Sequence, residues 1–440
     1  MLDANLKIIA ELKDFITMVI GDRALLNKFC TSESDFTRIR KLPFDKLVLL
    51  IAKLCKKTLS IELEQFFTEA GDWDSCSVSA FTQQRLKLEP EFFAWWNVVL
   101  WSSFYEFYDD AVKRWKGYRI IAADGSSISL INNPALSKHF GGQSNQQTNF
   151  VLARTFYHYD VLNELVLLAQ IKPYRTSELS IAYESTDWLA GDAVTIYDRC
   201  FSNYKMAALH LWQEEEKKFI IRAQERQNFI KAFIKTGEYS SIVYMSPAPQ
   251  AIAGMKKSHF KVTKDTLLKV RLIRVDLPKS VEVLITNLWE EEGHDTDEFK
   301  ELYFMRWGVE TNISVQKNIL QLESFSGLTV HAVEQDFYAT VMITNLHSVL
   351  IKDAQATVER TKRYCKYPVK INKNTSAGRL KINLVSLFLN NDPEMILIRL
   401  HSLFIKDVVP IRKGRSFKRQ RKNIQSKSKH KTFTNFKPSY

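Results

Sequence analysis

No stretch of eighteen apolar residues occurs in the 440-residue chain, so the sequence offers no membrane-spanning helix. The longest apolar segments, residues 47–54 and 92–101, are short and amphipathic and predict buried helices. The N-terminus lacks a basic start, an apolar core and a small-residue cleavage site, so no secretion signal is expected. Cysteine is scarce. Cys30, Cys55, Cys76, Cys200 and Cys365 are odd in number, scattered, and never spaced as Cys-x-x-Cys. That excludes a disulfide framework or a zinc module and fits a reducing compartment, here the cytoplasm. The nine histidines are as widely spread, which predicts structural roles rather than metal ligation. Internal repeats are absent. Acid is missing altogether from residue 411 to residue 440, where eleven lysines and arginines accumulate. Such a block is expected to be a disordered, solvated tail until it meets phosphate, and a merely solubilising tail is the plainer alternative.

What is present is positive charge. There are 62 basic against 49 acidic residues, a net +13, which points to a polyanionic partner. The apolar fraction of 45% is enough for real cores, and the length suggests two to four units at about 100–200 residues each. Residues 1–115 predict an α-helical N-terminal unit, interrupted by basic clusters at Arg38, Arg40 and Lys41 and at Lys53, Lys56 and Lys57. Docking onto DNA and plain helix packing are both open for it. A short helix after a serine cap is expected near Ser79, Ala80, Phe81 and Arg85.

The texture changes at Tyr118. Residues 116–221 predict the first part of a mixed α/β core, reading as three strands, helix, strand, helix, strand, with a hairpin at residues 160–163. Alternation with basic outer positions makes residues 222–286 a β-rich insertion. Residues 287–350 resume the core with a long helical run. Residues 351–410 form a C-terminal helical region, and residues 411–440 the tail.

Two acids occupy comparable places. Asp124 and Asp198 each follow an apolar strand, where a carboxylate is held rigidly and can face a cleft. Either could instead simply cap a turn. The third element is a helix expected to be capped by Asp295 and Glu298 and to run past Lys317. At 100° per residue, Tyr303, Arg306, Glu310 and Lys317 fall within about 60° of one another. Leu302, Val309, Ile313 and Leu320 form a separate stripe beside them. A solvated i,i+4 pair of Arg306 and Glu310 would add only about 0.3–0.5 kcal/mol and does not explain the Tyr and Lys on the same line. Phosphodiester cleavage does explain them. It needs carboxylates to hold two divalent cations, and hard oxygen ligands favour Mg²⁺ (or Mn²⁺). Arg306 and Lys317 would grip phosphates, and Tyr303 can donate a hydrogen bond.

On these residues the chain resembles the DDE transposases of the insertion sequence 4 family. Tyr303, Arg306, Glu310 and Lys317 match its signature without a gap, and Leu320, Leu322, Glu323 and Gly327 continue it. Asp124 in Ala-Asp-Gly-Ser and Asp198 in Tyr-Asp-Arg match the two aspartates, and residues 283–288 resemble the strand before the third motif. The resemblance covers roughly residues 118–350. It implies an RNase H-like core with an all-β insertion in the 112-residue interval between Asp198 and Glu310, against 74 residues between the two aspartates. It implies catalysis and metal binding by Asp124, Asp198 and Glu310, with Tyr303, Arg306 and Lys317 on DNA. Its expected partners are the double-stranded terminal inverted repeats and the target DNA, bound as a homodimer in a prokaryotic cell. Where some relatives carry a base-stacking Trp for hairpin formation, this chain has Glu282, with Trp289 displaced nearby. Alternatives are an RNase H-like nuclease without strand transfer, a non-catalytic DNA-binding derivative and a basic scaffold.

Overall fold

The computed structural model describes residues 2–412, apart from 39, 145–148, 258–259, 363 and 391. All but the first two residues of the expected basic tail, 411–440, lie outside the described residues.

The chain opens with helices α1 (Leu2–Gly21), α2 (Arg23–Asn27), α3 (Phe44–Ala52), α4 (Leu59–Glu69), α5 (Val78–Arg85) and α6 (Glu91–Tyr108). Apolar residues at helical spacing give α3 and α6 their buried sides. The serine that caps α5 is Ser77, whose hydroxyl accepts the Ala80 N–H at 3.1 Å.

From Arg119 the chain becomes mixed α/β. Its strands are β1 (Arg119–Ser129), β2 (Gly142–Ser144), β3 (Asn149–Asp160), β4 (Leu165–Pro173), β5 (Ala193–Tyr197), β6 (Lys218–Arg222), β7 (Ser240–Met245), β8 (Leu268–Leu277) and β9 (Ser280–Thr286). They form one sheet in the order β2-β3-β1-β5-β6-β9-β8-β7, with β4 on β3. The β1–β5 and β5–β6 pairs are parallel. In β5, Val194 and Ile196 enter the core on one face and Tyr197 the core on the other. A strand buried on both faces reads as a continuous apolar run, which is why its sequence shows no alternation. The hairpin falls where expected, because the Asp160 carboxylate accepts the N–H groups of Leu162 and Asn163 at 3.0 Å each.

Helices α7 (Pro134–Phe140), α8 (Glu178–Ser185), α9 (Tyr204–Leu211), α10 (Asn228–Thr236) and α11 (Pro249–Lys257) lie in the connections. Two expectations need correction. The segment between β1 and β3 holds α7 and β2, which the sequence reading passed over although Asn133 and Pro134 form an N-cap and first helical position. The insertion is not all-β. It carries α10 and α11, and Ile230 and Phe233 of α10 pack in the core with Val270 and Ile285. Its strands join the central sheet, since β9 pairs with β6.

After β9 come α12 (Phe299–Phe304) and α13 (Trp307–Ser314), then the 32-residue α14 (Val330–Thr361), α15 (Lys373–Leu389) and α16 (Pro393–Phe404). Helix α14 supplies Ala339, Met342, Leu346 and Val349 to a core shared with α1, α3, α6, α15 and α16. The N-terminal and C-terminal helices therefore make one packed body rather than two. Asn345 stitches that body to the sheet, donating to the Val166 carbonyl and to Asn97 at 2.7 Å each. No described helix is long and apolar enough to cross a membrane.

Candidate active site

Asp124 lies inside β1 and not past its end, because the strand continues to Ser129. The parallel neighbour β5 stops at Tyr197, opposite Ala123. Asp124 is thus the first β1 residue whose β5 side is open. Asp198 follows β5 directly and caps a short turn over Arg199–Phe201, accepting the Arg199 N–H at 2.6 Å. Two aspartates therefore stand at the same level of the sheet, Asp124 within β1 and Asp198 just past the end of its parallel neighbour β5.

The helix bearing the third acid is not one continuous α-helix. Helix α12 ends at Phe304, and Arg306 N–H bonds back to the Tyr303 carbonyl at 3.1 Å in a tighter turn. Beyond Ser314 the backbone widens into a π turn over Val315–Ile319. The expected cap at Asp295 makes no side-chain bond, since a separate 3₁₀ turn over Thr296–Glu298 precedes α12. Uniform rotation per residue is therefore only approximate here, yet the polar side chains still reach the acids. A π turn is a common feature of functional sites, where it re-aims a side chain.

Arg306 joins the acids. Its Nη1 donates to Asp124 Oδ2 at 3.2 Å and its Nη2 to Glu310 Oε1 at 3.0 Å. The side chain is 6% exposed, its Nε has no partner, and its guanidinium lies 4.8 Å from the Trp307 ring centre. Lys317 reaches back to β1, donating to Ser126 Oγ at 3.0 Å and the Ser127 carbonyl at 2.7 Å. Burial pulls its ammonium below the usual lysine range, with Glu323 opposing. Tyr303 is buried and its hydroxyl has no hydrogen-bond partner. Burial pushes that phenol up to about 12, with Arg306 opposing and the Asp198 charge adding to the rise.

Some neighbours of the acids carried no local signal. Glu178, in the first turn of α8, lies over Gly125, where an added Cβ would fall 2.6 Å from its Cδ. With glycine at 125 that side chain passes over the strand and pairs with Arg154 at 2.5 Å, and a Cβ there would push it aside. Arg222 and Glu282 pair at 2.8 Å, with Arg222 one rung beyond the Tyr197–Ile221 pair and hence level with Asp198. Glu282 is thereby tied to an arginine, and Trp289 is covered by Lys269 at 4.6 Å. Cross-strand register brings these groups together, and nothing in their own segments reveals it.

Burial is the main force on the Asp124 carboxyl, which is pushed up to about 6. Arg306 and the Gly125 N–H pull it down, and Glu310 and Glu178 push it up further. An unfolded Asp titrates near pH 4, so the folded chain holds this proton more tightly. The associated stability is full below about pH 4 and is lost as the pH rises through about 6. In metal-free buffer, Asp124→Asn is expected to exceed the parent in stability at pH 8 by about 1–2 kcal/mol, the gap closing by pH 4. Urea titrations at both pH values test this, and a variant less stable than its parent at pH 8 would show that the ionised carboxylate carries no such cost.

The donor set consists of carboxylates without thiol or imidazole, which suits a hard divalent cation. Among the described residues, no three His, Cys, Asp or Glu side chains already stand as a metal cage. Between Asp124 and Glu310 the balancing positive charge is the Arg306 guanidinium.

The profile of the transposase DDE domain matches residues 115–346, more than half of the chain. No curated protein matches the sequence. Among solved structures, a piggyBac transposase synaptic complex with hairpin DNA aligns with a TM-score of 0.41 at 10% identity, over 94% of this chain and 86% of that one.

Proposed function

Since the chain belongs to the transposase DDE domain family, we propose that it is the DNA transposase of an insertion sequence, of the insertion sequence 4 type, with an RNase H-like core. The observation that carries this reading is the convergence on one cluster of Asp124, Arg306 and Glu310, up to 186 positions apart in sequence, with Asp198 level with Asp124.

Asp124, Asp198 and Glu310 are the groups that would hold two Mg²⁺ or Mn²⁺ ions. Bound there, such ions would activate an attacking oxygen and stabilise a leaving one. The protein's own contributions are separate from that. Arg306 offsets the repulsion between two carboxylates and presents a guanidinium that can bind a phosphate. The Tyr303 hydroxyl, buried and unpartnered, can donate to a phosphate oxygen. Lys317 adds a cation beside β1. In this reading water cleaves at the element's ends and the freed 3′-hydroxyl attacks target DNA, on two protein copies that pair the ends in a prokaryotic cytoplasm. With Glu282 paired to Arg222, a base-stacking aromatic at that position plays no part.

The test is incubation of the purified chain with duplexes bearing the element's own termini, with and without Mg²⁺. Metal-dependent nicks leaving 3′-hydroxyls at the element boundary, followed by joining to a second duplex, are expected. Nicking without joining would assign a nuclease, and no metal-dependent nicking at all would remove the reading.

A further inference from the structure

Three cavities of about 350, 470 and 210 Å³ run together across the helical N-terminal unit, and Arg40 lines all of them. Trp73 stands at one end of this trough and Arg38 at the other. Its charges are unevenly matched. Lys46 pairs with Asp72 at 2.5 Å and Lys41 with Asp74 at 3.5 Å. Asp35 accepts from the Thr31 hydroxyl and the Ser32 N–H, both at 3.0 Å. Among the described residues, Arg38, Arg40 and Lys87 are left with no carboxylate partner.

Trp73 is fully exposed, the most exposed large apolar side chain among the described residues. The backbone leading to it is nevertheless fixed. Two residues past α4, Gly71 takes the left-handed region at φ 81, its N–H on the Thr68 carbonyl at 3.2 Å and the Asp72 N–H on the Phe67 carbonyl at 2.9 Å. This is the Schellman arrangement, which locks the chain just past a helix. The Lys46–Asp72 pair holds the next residue. An indole kept in water on an anchored loop, beside unpaired cations, has the features of a surface that lies against a polyanion whose backbone also carries apolar sugar faces.

We propose that this trough binds duplex DNA, with Arg38, Arg40 and Lys87 on backbone phosphates and the Trp73 indole packed against a deoxyribose of the same backbone. The proposal rests on the transposase reading and gives it a second DNA contact, away from the acids. Phosphate contacts supply affinity that falls steeply with salt. An apolar contact between a ring and a sugar involves no charge, so salt changes its contribution far less. A protein partner would instead gather apolar neighbours around the indole, whereas here the flanking residues Asp72 and Asp74 are both ion-paired.

The two kinds of contact separate in one experiment. The full chain in EDTA is titrated with a fluorescently labelled mixed-sequence duplex over a range of KCl concentrations. With Arg38, Arg40 and Lys87 all changed to Gln, the slope of log affinity against log salt should become shallower by about 2–3. Trp73→Ala should weaken binding about tenfold at every salt concentration with the slope kept, and Trp73→Phe should recover most of it. Unchanged melting temperatures would confirm that these exposed changes leave the fold alone. If the parent binds and the variants match it, the trough is not the DNA surface, while the transposase reading stands. A changed slope without a Trp73 effect would overturn the indole–sugar contact. If the parent itself binds no duplex, the transposase reading fails with it.

Discussion

Glu310→Gln is expected to reduce metal-dependent strand cleavage about a thousand-fold or more while leaving stability and DNA binding close to those of the parent. The size follows from the role. Losing a carboxylate that neutralises a metal in the transition state removes about 4 kcal/mol or more from its stabilisation, and each 1.4 kcal/mol is a factor of ten. The small stability effect follows from the surroundings. The Glu310 side chain is 36% exposed, and its bond to Arg306 is an i,i+4 pair on a helix. Such pairs contribute about 0.3–0.5 kcal/mol, and the glutamine carbonyl can still accept from Arg306. The assay is single-turnover nicking of a terminal duplex at saturating Mg²⁺, beside a thermal melt. Retention of cleavage within tenfold of the parent would remove Glu310 from the site. Loss of cleavage with a large fall in melting temperature would make it structural.

The largest stability effect should come from Arg85, far from the acids in sequence. Its side chain is 2% exposed and its guanidinium makes four bonds on the far side of the chain. It donates to Gln335 at 2.9 Å, Ser326 Oγ at 2.8 Å, the Ala332 carbonyl at 3.3 Å and Asp336 at 3.0 Å. Burial alone would raise the Asp336 carboxyl, but Arg85, Lys56 and the Ser326 bonds more than reverse it, so its pKa is lowered. Arg85→Ala leaves that carboxylate buried without its partner, which typically costs about 3–5 kcal/mol. Guanidinium titration measures it, and a loss below about 1 kcal/mol would contradict the burial argument. Arg85→Met combined with Asp336→Leu should recover much of the loss, because the desolvated charge goes with the arginine.

Sequence spacing exposed the candidate cluster where the information was local. Arg306, Glu310 and Lys317 lie within one short helical stretch, so their common side could be projected even though the helix breaks before Arg306 and widens after Ser314. Asp124 and Asp198 were visible as acids attached to apolar strands, but that they stand level required the β1–β5 register. Glu178 and the Arg222–Glu282 pair meet the site through contacts across the sheet, which no periodicity encodes. Gly327 was visible only in the continuation of the family signature, and Arg85 only as part of a short capped helix. The structure gives their physical reason, since a Cβ at Gly327 would sit 3.2 Å from Arg85 Nη1 and 2.6 Å from Ala332 Cβ. The helices of the insertion were missed because alternation at residues 241–245 and 267–275, which are β7 and β8, was extended over the shorter helical segments beside them.

The core that joins the two ends of the chain has a consequence for biosynthesis. Ile8, Phe92 and Trp96 are packed with Met342, Leu384 and Phe404, so the first helices find their cover more than two hundred residues later. At about 5–20 residues per second, a ribosome takes on the order of ten seconds or more to deliver α14 after α6 has emerged. During that interval α1, α3 and α6 can pack on one another through Phe15, Phe44 and Phe92, but the apolar faces that α14, α15 and α16 later take up have no permanent cover. A chain arrested before residue 339 should therefore be a client of holding chaperones, and the nascent protein acquires its helical body only when synthesis is nearly done.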